Sequence, residues 1–276
     1  MTGFAISDWN TAYENGAHIV GGAEMLGALQ GRAAAFRQSA THALTLDVEG
    51  GRYDFFPPAG QPKGVFVFIH GGYWQRTDAS WWSHLAAGAV ARGWAAVLPW
   101  YALCPEVGIG EIVESVGVAI EGAAAKTSGP IVLTGHSAGG HLAAAMSCTL
   151  SPLSEAALGR VRHVVPISGL GDLRPLLHTD LNTALQLTDS TAAALSPVLH
   201  VPRQGTRLTA WVGGAERAEF RRQNRLLADM WRGLGAWTQA IEEPDKHHFD
   251  VIEGLCDPAS ALLRTALSLE FQETSA

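Results

Sequence analysis

Ser137 lies at the centre of GHSAGGH, a short glycine-rich turn between an apolar run and an alanine-rich segment. The turn fits the pattern G-x-S-x-G, with Gly135 and Gly139 at the two glycine positions. When a strand precedes such a turn and a helix follows it, the turn is strained and lifts the serine hydroxyl clear of the sheet. The run PIVLT predicts that strand and HLAAAMSC predicts that helix. The sequence therefore predicts that Ser137 is a nucleophile.

Two histidines stand close to this serine, but their positions do not suit a general base. A base must reach the serine oxygen at hydrogen-bond distance, about 2.6–3.2 Å. His136 lies within the turn, where adjacent side chains point in different directions, and His141 lies one turn into the predicted helix. We therefore expect packing roles for both histidines, and we expect the base to come from another part of the chain.

A second glycine-rich segment, HGGYW (residues 70–74), directly follows the apolar run GVFVFI. Attack of a serine on a carbonyl carbon generates an oxyanion, which requires hydrogen-bond donors that are already aimed at it. The expected donors are the amide of the residue after the serine, here Ala138, and amides of the loop after the third strand. Gly71 and Gly72 allow that backbone to approach closely. We predict an oxyanion hole formed by the amides of Gly71, Gly72 and Ala138.

The remaining members of such a site are an acid and a histidine. WVGGAERAEF contains Glu216 and Glu219, just beyond a predicted strand. Glu216 is closer to the strand end, so we expect it to be the acid, whereas Glu219 lies in the next helix, whose N-terminal dipole favours acidic residues. The segment EEPDKHHFDVIEG contains His247 and His248, and we expect one of the two to be the general base.

These segments must be positioned by the elements around them, in which apolar runs alternate with helical patterns. Strands are predicted in HALTLDV, RYDFF, GVFVFI, WAAVLP, PIVLT, VRHVVPIS, RLTAWVGG and WTQAIEE. Helices are predicted in EMLGALQGRAAAFRQ, SWWSHLAAGAVARG, IGEIVESVGVAIEGAAA, AGGHLAAAMSCTL, residues 173–195, AEFRRQNRLLADMWRG and the segment after Asp257. This alternation indicates an α/β fold with a mostly parallel central sheet and helices on both faces. In such a sheet, functional residues collect at the carboxyl ends of the strands.

The chain shows no internal repeat, charge block or Pro/Ser-rich linker, so we expect one domain over residues 1–276. Residues 1–40 precede the alternation of strands and helices and end in an alanine-rich helical pattern. We interpret them as a helical appendage that could cover the active site. The sequence does not set the oligomeric state and leaves a homodimer open.

Composition and charge narrow the class of protein and partner. A hydrophobic content of 47% suits a globular protein with a sizeable core, and the net charge of −7 argues against nucleic acids and anionic membranes as partners. The sequence shows neither the pattern of a secretory signal nor the roughly 18 consecutive apolar residues of a membrane span. Three scattered cysteines predict reduced thiols in a cytoplasmic protein. No H-E-x-x-H or paired-cysteine spacing occurs, so we expect neither a metal nor a cofactor.

With these motifs assembled, the chain resembles the kynurenine formamidase (arylformamidase) branch of the α/β-hydrolases. The resemblance runs through YENGAHI, HGGYW, GHSAGGHLAA, ISGLGDLRPLL, WVGGAERAEFRRQ and HHFDVIEGL, and HGG-x-W is its most specific element. It implies the α/β-hydrolase fold, with Ser137 as nucleophile and His248 as the catalytic histidine. It also puts Glu216 where the family usually has an aspartate. Glu219 and Asp245 are the alternatives if the loop does not accommodate the longer side chain.

The resemblance also implies a reaction, the hydrolysis of a small acyl amide through an acyl-enzyme intermediate. N-formylkynurenine or another aryl formamide is the implied substrate. A carboxylesterase acting on short-chain or aryl esters is the alternative, and a non-catalytic binding protein on the same fold is a more remote one. Tyr73 and Trp74 are predicted to bind the aromatic substrate, whereas core or lid packing explains the pair Trp81 and Trp82 at least as well.

Overall fold

The apolar runs form one eight-stranded sheet in the computed structural model, which describes residues 6–40 and 43–268. The strands are β1 (Leu44–Val48), β2 (Gly51–Phe56), β3 (Val65–Ile69), β4 (Ala95–Trp100), β5 (Ile131–His136), β6 (Val161–Ile167), β7 (Arg207–Gly213) and β8 (Trp237–Glu243). Their order is β1-β2-β4-β3-β5-β6-β7-β8. The pairs β1–β2 and β2–β4 are antiparallel, and the five other pairs are parallel. The predicted α/β fold with a mostly parallel sheet is confirmed.

Helices cover both faces of the sheet and enclose two cores. Within the described ranges they are α1 (Trp9–Tyr13), α2 (Gly22–Ser39), α3 (Ala87–Ala91), α4 (Ile109–Lys126), α5 (Ala138–Ala145), α6 (Glu155–Leu158), α7 (Asn182–Leu185), α8 (Asp189–Ala194), α9 (Ala218–Gly233) and α10 (Ala261–Leu267). Side chains alternate between the two faces of a strand. Accordingly, Val65, Val67 and Ile69 of β3 pack with α4, α5 and α9. Phe66 and Phe68 pack with α2, α3 and α10 on the other face.

The central strands β3 and β5 bring the two glycine-rich turns together. Every residue of both strands is buried, as expected for strands that are covered on both faces. The parallel register pairs Val65 with Ile131 and Ile69 with Gly135, so both strands end at the same edge of the sheet. The loop after β3 therefore begins beside the turn after β5.

The segment predicted as one helix over residues 173–195 is broken into three short pieces. It contains a 3-10 helix over Arg174–His178, followed by α7 and α8. The left-handed backbone of Gln186 (φ 51°) ends α7, and the side chain of Thr188 caps the first turn of α8. These local turns override the helical pattern that the sequence suggests.

The N-terminal segment packs on both cores, with Tyr13 of α1 in one and Leu29 of α2 in the other. Its long helix α2 contacts a 3-10 helix over Ala79–Ala86, which with α3 replaces the single helix predicted over residues 80–93. The short helix α1 contacts α9. Residues 1–5 of the predicted appendage and His42 of the predicted first strand lie outside the described residues. Among the described helices, none combines the length and the hydropathy that crossing a membrane requires.

Candidate active site

Ser137 connects β5 to α5 in a strained turn. Its backbone has φ 54° and ψ −116°, and a non-glycine residue in such a conformation costs of order 1–3 kcal/mol. The glycines of the motif are required by space. A Cβ atom at Gly135 would overlap the carbonyl oxygen of Gly139, and one at Gly139 would overlap the carbonyl oxygen of Ile69. The serine thus lies in the strand–turn–helix context that its motif requires.

Glu216 and His248 form a buried hydrogen-bonded pair, named here the carboxylate–imidazole pair. Glu216 follows β7 and His248 follows β8, and Oε2 of Glu216 lies 2.6 Å from Nδ1 of His248. The Glu216 side chain is 0% exposed and the His248 side chain is 5% exposed. The two loops meet closely because Gly213 has no side chain, since a Cβ atom there would overlap the carbonyl oxygen of Lys246. An imidazole held at Nδ1 by a carboxylate presents Nε2 as the proton acceptor.

The second oxygen of the Glu216 carboxylate also accepts hydrogen bonds. Oε1 accepts a hydrogen bond from the Ser168 hydroxyl at 2.5 Å and another from the Gly213 amide at 2.8 Å. A buried charged group needs such partners because burial without them is costly. Ser168 was not among the residues predicted from the sequence. The available signal was its position, directly after β6 at the edge of the sheet where Ser137 also lies.

Aromatic rings enclose the imidazole of His248. The ring centroid of Phe220 lies 4.7 Å from it, and that of His136 lies 4.5 Å from it. Because His136 directly precedes Ser137, the second contact brings His248 beside the serine turn. Burial holds the pKa of His136 well below its ordinary value. His136 is therefore a neutral packing group.

The HGGYW loop lies against the serine turn. A Cβ atom at Gly71 would lie 3.2 Å from the Cβ atom of Ser137, so glycine allows the close approach of this backbone. Gly72 has φ 113°, in the region that favours glycine. In the described part of the chain, the amides of Gly71, Gly72 and Ala138 donate to no protein acceptor. They are therefore available to an oxygen atom of a ligand.

A comparison with protein families agrees with this geometry. The model of a family with the alpha/beta hydrolase fold matches residues 66–250, well over half of the chain. The chain belongs to the α/β-hydrolase fold family. Its relatives include the kynurenine formamidase of Danio rerio, to which this hydrolase is 27% identical over 238 residues, or 81% of this chain and 79% of that protein. The predicted resemblance is thus confirmed, and so is the prediction of a hydrolase.

Solved structures extend the comparison. This hydrolase is 44% identical to a protein of Silicibacter sp. TM1040 that is provisionally named a thioesterase, with a TM-score of 0.89 over 95% of this chain and 99% of that one. An esterase of Pyrobaculum calidifontis is 18% identical, with a TM-score of 0.68 over 89% of this chain and 91% of that one. The second likeness concerns the fold alone.

The other candidate histidines of the hydrolase form hydrogen bonds with backbone groups. Nε2 of His141 lies 2.8 Å from the carbonyl oxygen of Leu195, and burial lowers the pKa of His141 to about 4. Nδ1 of His247 accepts hydrogen bonds from the amides of Phe249 and Asp250. Both imidazoles therefore stabilise the local chain.

Among the described residues, neither alternative acid of the hydrolase contacts the imidazole of His248. Oε1 of Glu219 accepts a hydrogen bond from the Tyr13 hydroxyl at 2.6 Å, and the same carboxylate forms an ion pair with Arg222 at 2.7 Å. Asp245 lies in a turn with φ 61°. The carboxylate that reaches the imidazole is that of Glu216.

The aromatic residues predicted to bind substrate have different surroundings. The Tyr73 hydroxyl donates to the carbonyl oxygen of Tyr13 at 2.7 Å and so joins the HGGYW loop to the N-terminal segment. Trp74 is fully buried, with its ring edge-on to that of His141 at a centroid distance of 5.2 Å. Trp82 is buried in the core that contains α2. Tyr73 is therefore the more accessible of the two residues predicted to contact a substrate.

His70 anchors the start of the HGGYW loop. Its ring stacks on that of Tyr101 at a centroid distance of 4.0 Å, and the Tyr101 hydroxyl donates to the His70 carbonyl oxygen at 2.8 Å. Burial lowers the pKa of His70 to about 4, so its ring is neutral. Tyr101 was not among the residues predicted from the sequence, although it directly follows β4, which lies next to β3 in the sheet.

The hydrolase has three further nucleophilic side chains, its cysteines, and other residues of the types that can bind metals. Among the described residues, no group of three or more His, Cys, Asp or Glu side chains could hold a metal ion. Cys104, Cys148 and Cys256 are free thiols. Burial raises the pKa of Cys148 to about 12 and that of Cys256 to about 11, so these thiols are protonated and weakly nucleophilic.

Proposed function

We propose that this hydrolase cleaves a small acyl amide, N-formylkynurenine or another aryl formamide, through an acyl-enzyme on Ser137. In this proposal Ser137 is the nucleophile, His248 is the general base and Glu216 is the acid. The observation that carries the proposal is the buried 2.6 Å contact between Glu216 and His248 beside the serine turn. The relatives named kynurenine formamidase, in Danio rerio and Drosophila melanogaster among others, support the substrate class.

The first step forms a bond between the serine and the acyl carbon. Oγ of Ser137 attacks the formyl carbon while Nε2 of His248 takes the hydroxyl proton. Glu216 holds the proton on Nδ1, which leaves the lone pair of the neutral imidazole on Nε2, and it stabilises the imidazolium that forms. Because both side chains of the pair are almost fully buried, water competes little for the hydrogen bond between them.

The attack converts the carbonyl oxygen into an oxyanion. The proposed donors are the amides of Gly71, Gly72 and Ala138, whose backbone positions are set before substrate arrives. Donors that are preorganised in this way do not have to reorient as the charge develops. Removal of one such donor costs about 10²–10³ in kcat in comparable sites.

Collapse of the intermediate expels the amine. The C–N bond breaks, His248 gives its proton to the aryl amine nitrogen, and the formyl group remains as an ester on Ser137. Water then attacks this ester with His248 again as base, which releases formate and restores the serine. The formyl group is the smallest acyl group, so the acyl side of the site needs little space.

The aromatic leaving group would contact Tyr73. The Tyr73 side chain is only partly buried, so a ligand can reach it. We retain Tyr73 rather than Trp74 as the proposed contact because the Trp74 ring is fully buried. Stacking of an aniline ring on a tyrosine is favourable by about 0.5–1.5 kcal/mol beyond the area buried.

A carboxylic ester or a thioester is the second candidate substrate. The Silicibacter relative, 44% identical, is provisionally named a thioesterase, and the same mechanism cleaves an ester when the leaving group is an alcohol or a thiol. The walls of a pocket, rather than the nucleophile and its base, select between such substrates.

Steady-state kinetics on three substrates test the proposal: N-formylkynurenine, p-nitrophenyl acetate and a short acyl thioester. We expect the highest kcat/KM for N-formylkynurenine and loss of all three activities in Ser137→Ala. A preference of several hundred-fold for the ester or thioester, without formamide cleavage, would overturn the formamidase assignment and leave an esterase. Fluorophosphonate labelling of the native protein but not of Ser137→Ala tests the nucleophile without any choice of substrate.

We also place the enzyme in the cytoplasm, because its three cysteines are free thiols, which suits a reducing compartment. We expect neither nucleic acids nor membranes as partners, in line with the net charge of −7. The oligomeric state stays open, with a homodimer as one possibility. Sedimentation velocity at micromolar protein concentration would measure it.

A further inference from the structure

We infer that Ser168 is a positioning residue for the acid of this site. Its hydroxyl holds the Glu216 carboxylate in the orientation that His248 requires. Ser168 is fully buried, and its Oγ donates to Oε1 of Glu216 at 2.5 Å while Oε2 faces His248. The inference rests on the proposed function, since it assigns Ser168 a part in the same reaction.

The backbone of Ser168 indicates that its hydroxyl is used. Its φ is 52°, in the left-handed region, where glycine would avoid the strain that serine bears. Its amide donates to the carbonyl oxygen of Trp211 at 2.7 Å, which holds the residue between β6 and β7. The next residue, Gly169, packs tightly on Gly140 of α5, since a Cβ atom at Gly140 would lie 2.7 Å from the Cα atom of Gly169. A serine in a conformation suited to glycine points to a function of its side chain.

The length of the acid explains why this additional donor is needed. Glutamate has one more rotatable bond than aspartate, so its carboxylate has more orientations available. Without Ser168, the Gly213 amide would be the one donor left to Oε1 among the described residues. With Ser168 as a second donor to Oε1 and His248 at Oε2, three partners define the plane of the carboxylate.

Loss of the Ser168 hydroxyl would affect the imidazole of His248 through the Glu216 carboxylate. With one donor fewer, the negative charge of Glu216 is less stabilised at Oε1 and interacts more strongly with His248. The imidazolium form is then favoured, so a larger fraction of the free enzyme lacks a general base at mildly acidic pH. The acidic limb of the pH dependence of kcat/KM therefore moves to higher pH.

Two substitutions at the same position separate the hydroxyl from the backbone. Ser168→Ala removes the hydroxyl and keeps the strain, whereas Ser168→Gly removes both. For both variants we expect kcat/KM to fall by about 10- to 100-fold and the acidic limb to move to higher pH. The low-field proton NMR signal of Nδ1–H on His248 is expected to shift or broaden in both, and Ser168→Gly is expected to melt at a higher temperature than Ser168→Ala.

Ser147→Ala is the matched control. Ser147 is also fully buried, but its hydroxyl donates to the carbonyl oxygen of Ala144 at 3.0 Å, at the end of α5. We expect this variant to lower the melting temperature while the acidic limb and the Nδ1–H signal stay native. A purely structural role of a buried serine hydroxyl would produce this pattern.

A native pH profile together with a native Nδ1–H signal in both Ser168 variants would overturn the inference, even if activity fell in step with melting temperature. A Ser168→Gly enzyme with native kcat/KM would also overturn it, because the serine would then have a backbone role only. The NMR measurement needs no substrate. If the native enzyme cleaves none of the three substrates, the proposed function fails, whereas a changed Nδ1–H signal in Ser168→Ala still supports the positioning of the carboxylate.

Discussion

Glu216 and Glu219 stand three residues apart around the start of α9, and both are buried, yet they have different partners. Glu216 lies in the turn before the helix and contacts a hydroxyl, an amide and an imidazole. Glu219 lies in the first turn of the helix and contacts the Arg222 guanidinium and the Tyr13 hydroxyl. The same residue type at nearly the same place therefore serves two different purposes.

The difference lies in the charge of the partners. The Arg222 cation compensates the charge of Glu219 permanently, so this carboxylate would stabilise a transient imidazolium only weakly. Glu216 is solvated by dipoles, and an imidazolium on His248 would supply its counter-charge during the reaction. Burial alone therefore does not distinguish the two carboxylates, whereas among the described residues Glu219 contacts a permanent cation and Glu216 does not.

Glu216→Gln gives the largest effect that this comparison predicts. The amide keeps the shape but loses the charge, and its NH₂ group favours the wrong tautomer of His248. We expect kcat/KM to fall by about 10³–10⁴-fold with little change in melting temperature. Steady-state kinetics on the best of the three substrates measure the loss, and Glu219→Gln is the control, expected to remain within about threefold of native. The reverse ranking of the two variants would reassign the acid.

Measurements at acid pH distinguish a loss of activity that arises at the carboxylate–imidazole pair from a loss of activity caused by unfolding. Burial lowers the pKa of His70 and His141 to about 4, from an ordinary value of 6.5. As the pH falls, the unfolded chain takes up these protons before the folded one. The contribution of these two neutral histidines to the free energy of unfolding is therefore fully present above pH 6.5. It is lost progressively down to about pH 4, and His141 alone accounts for about 3 kcal/mol.

Urea unfolding between pH 7 and pH 4 checks this expectation. Activity that disappears while the free energy of unfolding is still high would arise at the carboxylate–imidazole pair. A free energy of unfolding that stays constant over this range would contradict the burial of neutral histidines beside the site.

Glu219→Gln is expected to act on stability instead of rate. The variant loses the ion pair with Arg222, which is about half exposed and so contributes modestly, and it weakens the hydrogen bond from Tyr13. We expect a loss of about 1–2 kcal/mol in the free energy of unfolding by urea. Glu155→Gln is the matched control, because Glu155 pairs with Arg203 at 2.6 Å on the surface and its loss should leave stability unchanged within error. Equal effects of the two variants would remove the distinction between a buried and an exposed pair.

The sequence allowed prediction of those features that depend on strand ends. Ser137, Gly71 and Glu216 each follow an apolar run closely, and parallel strands deliver such positions to one edge of the sheet. The breaks in residues 173–195 escaped prediction because they depend on local conformations, such as the left-handed Gln186, that periodicity does not encode.

The choice between neighbouring residues could not be predicted from the sequence for a different reason. Spacing alone left His247 and His248 equivalent, and the choice between them came from a family resemblance. In the folded chain, the amides of residues 249 and 250 engage His247, whereas His248 faces a carboxylate 32 residues away in sequence. Contacts such as that between Ser168 and Glu216, which are 48 residues apart, carry no local pattern at all.

Tyr13→Phe is the smallest change that tests the comparison, because it removes one oxygen atom from the partner of Glu219. The Tyr13 hydroxyl donates to Glu219 at 2.6 Å and accepts a hydrogen bond from Gln223 at 3.0 Å. Burial and the charge of Glu219 raise the pKa of Tyr13, so the hydroxyl is a permanent donor. We expect a loss of about 1 kcal/mol in the free energy of unfolding and an unchanged kcat.

The KM of Tyr13→Phe carries the finer information, because the Tyr13 carbonyl oxygen accepts the hydrogen bond from Tyr73, our proposed substrate contact. A looser N-terminal segment should raise KM by about two- to threefold while kcat stays native. Tyr53→Phe is the matched control, since the buried Tyr53 hydroxyl has no hydrogen-bond partner among the described residues and its removal should not destabilise the protein. If Tyr13→Phe instead lowered kcat more than tenfold, the two carboxylates would be coupled through α9. The assignment of a catalytic role to Glu216 and a structural role to Glu219 would then be wrong.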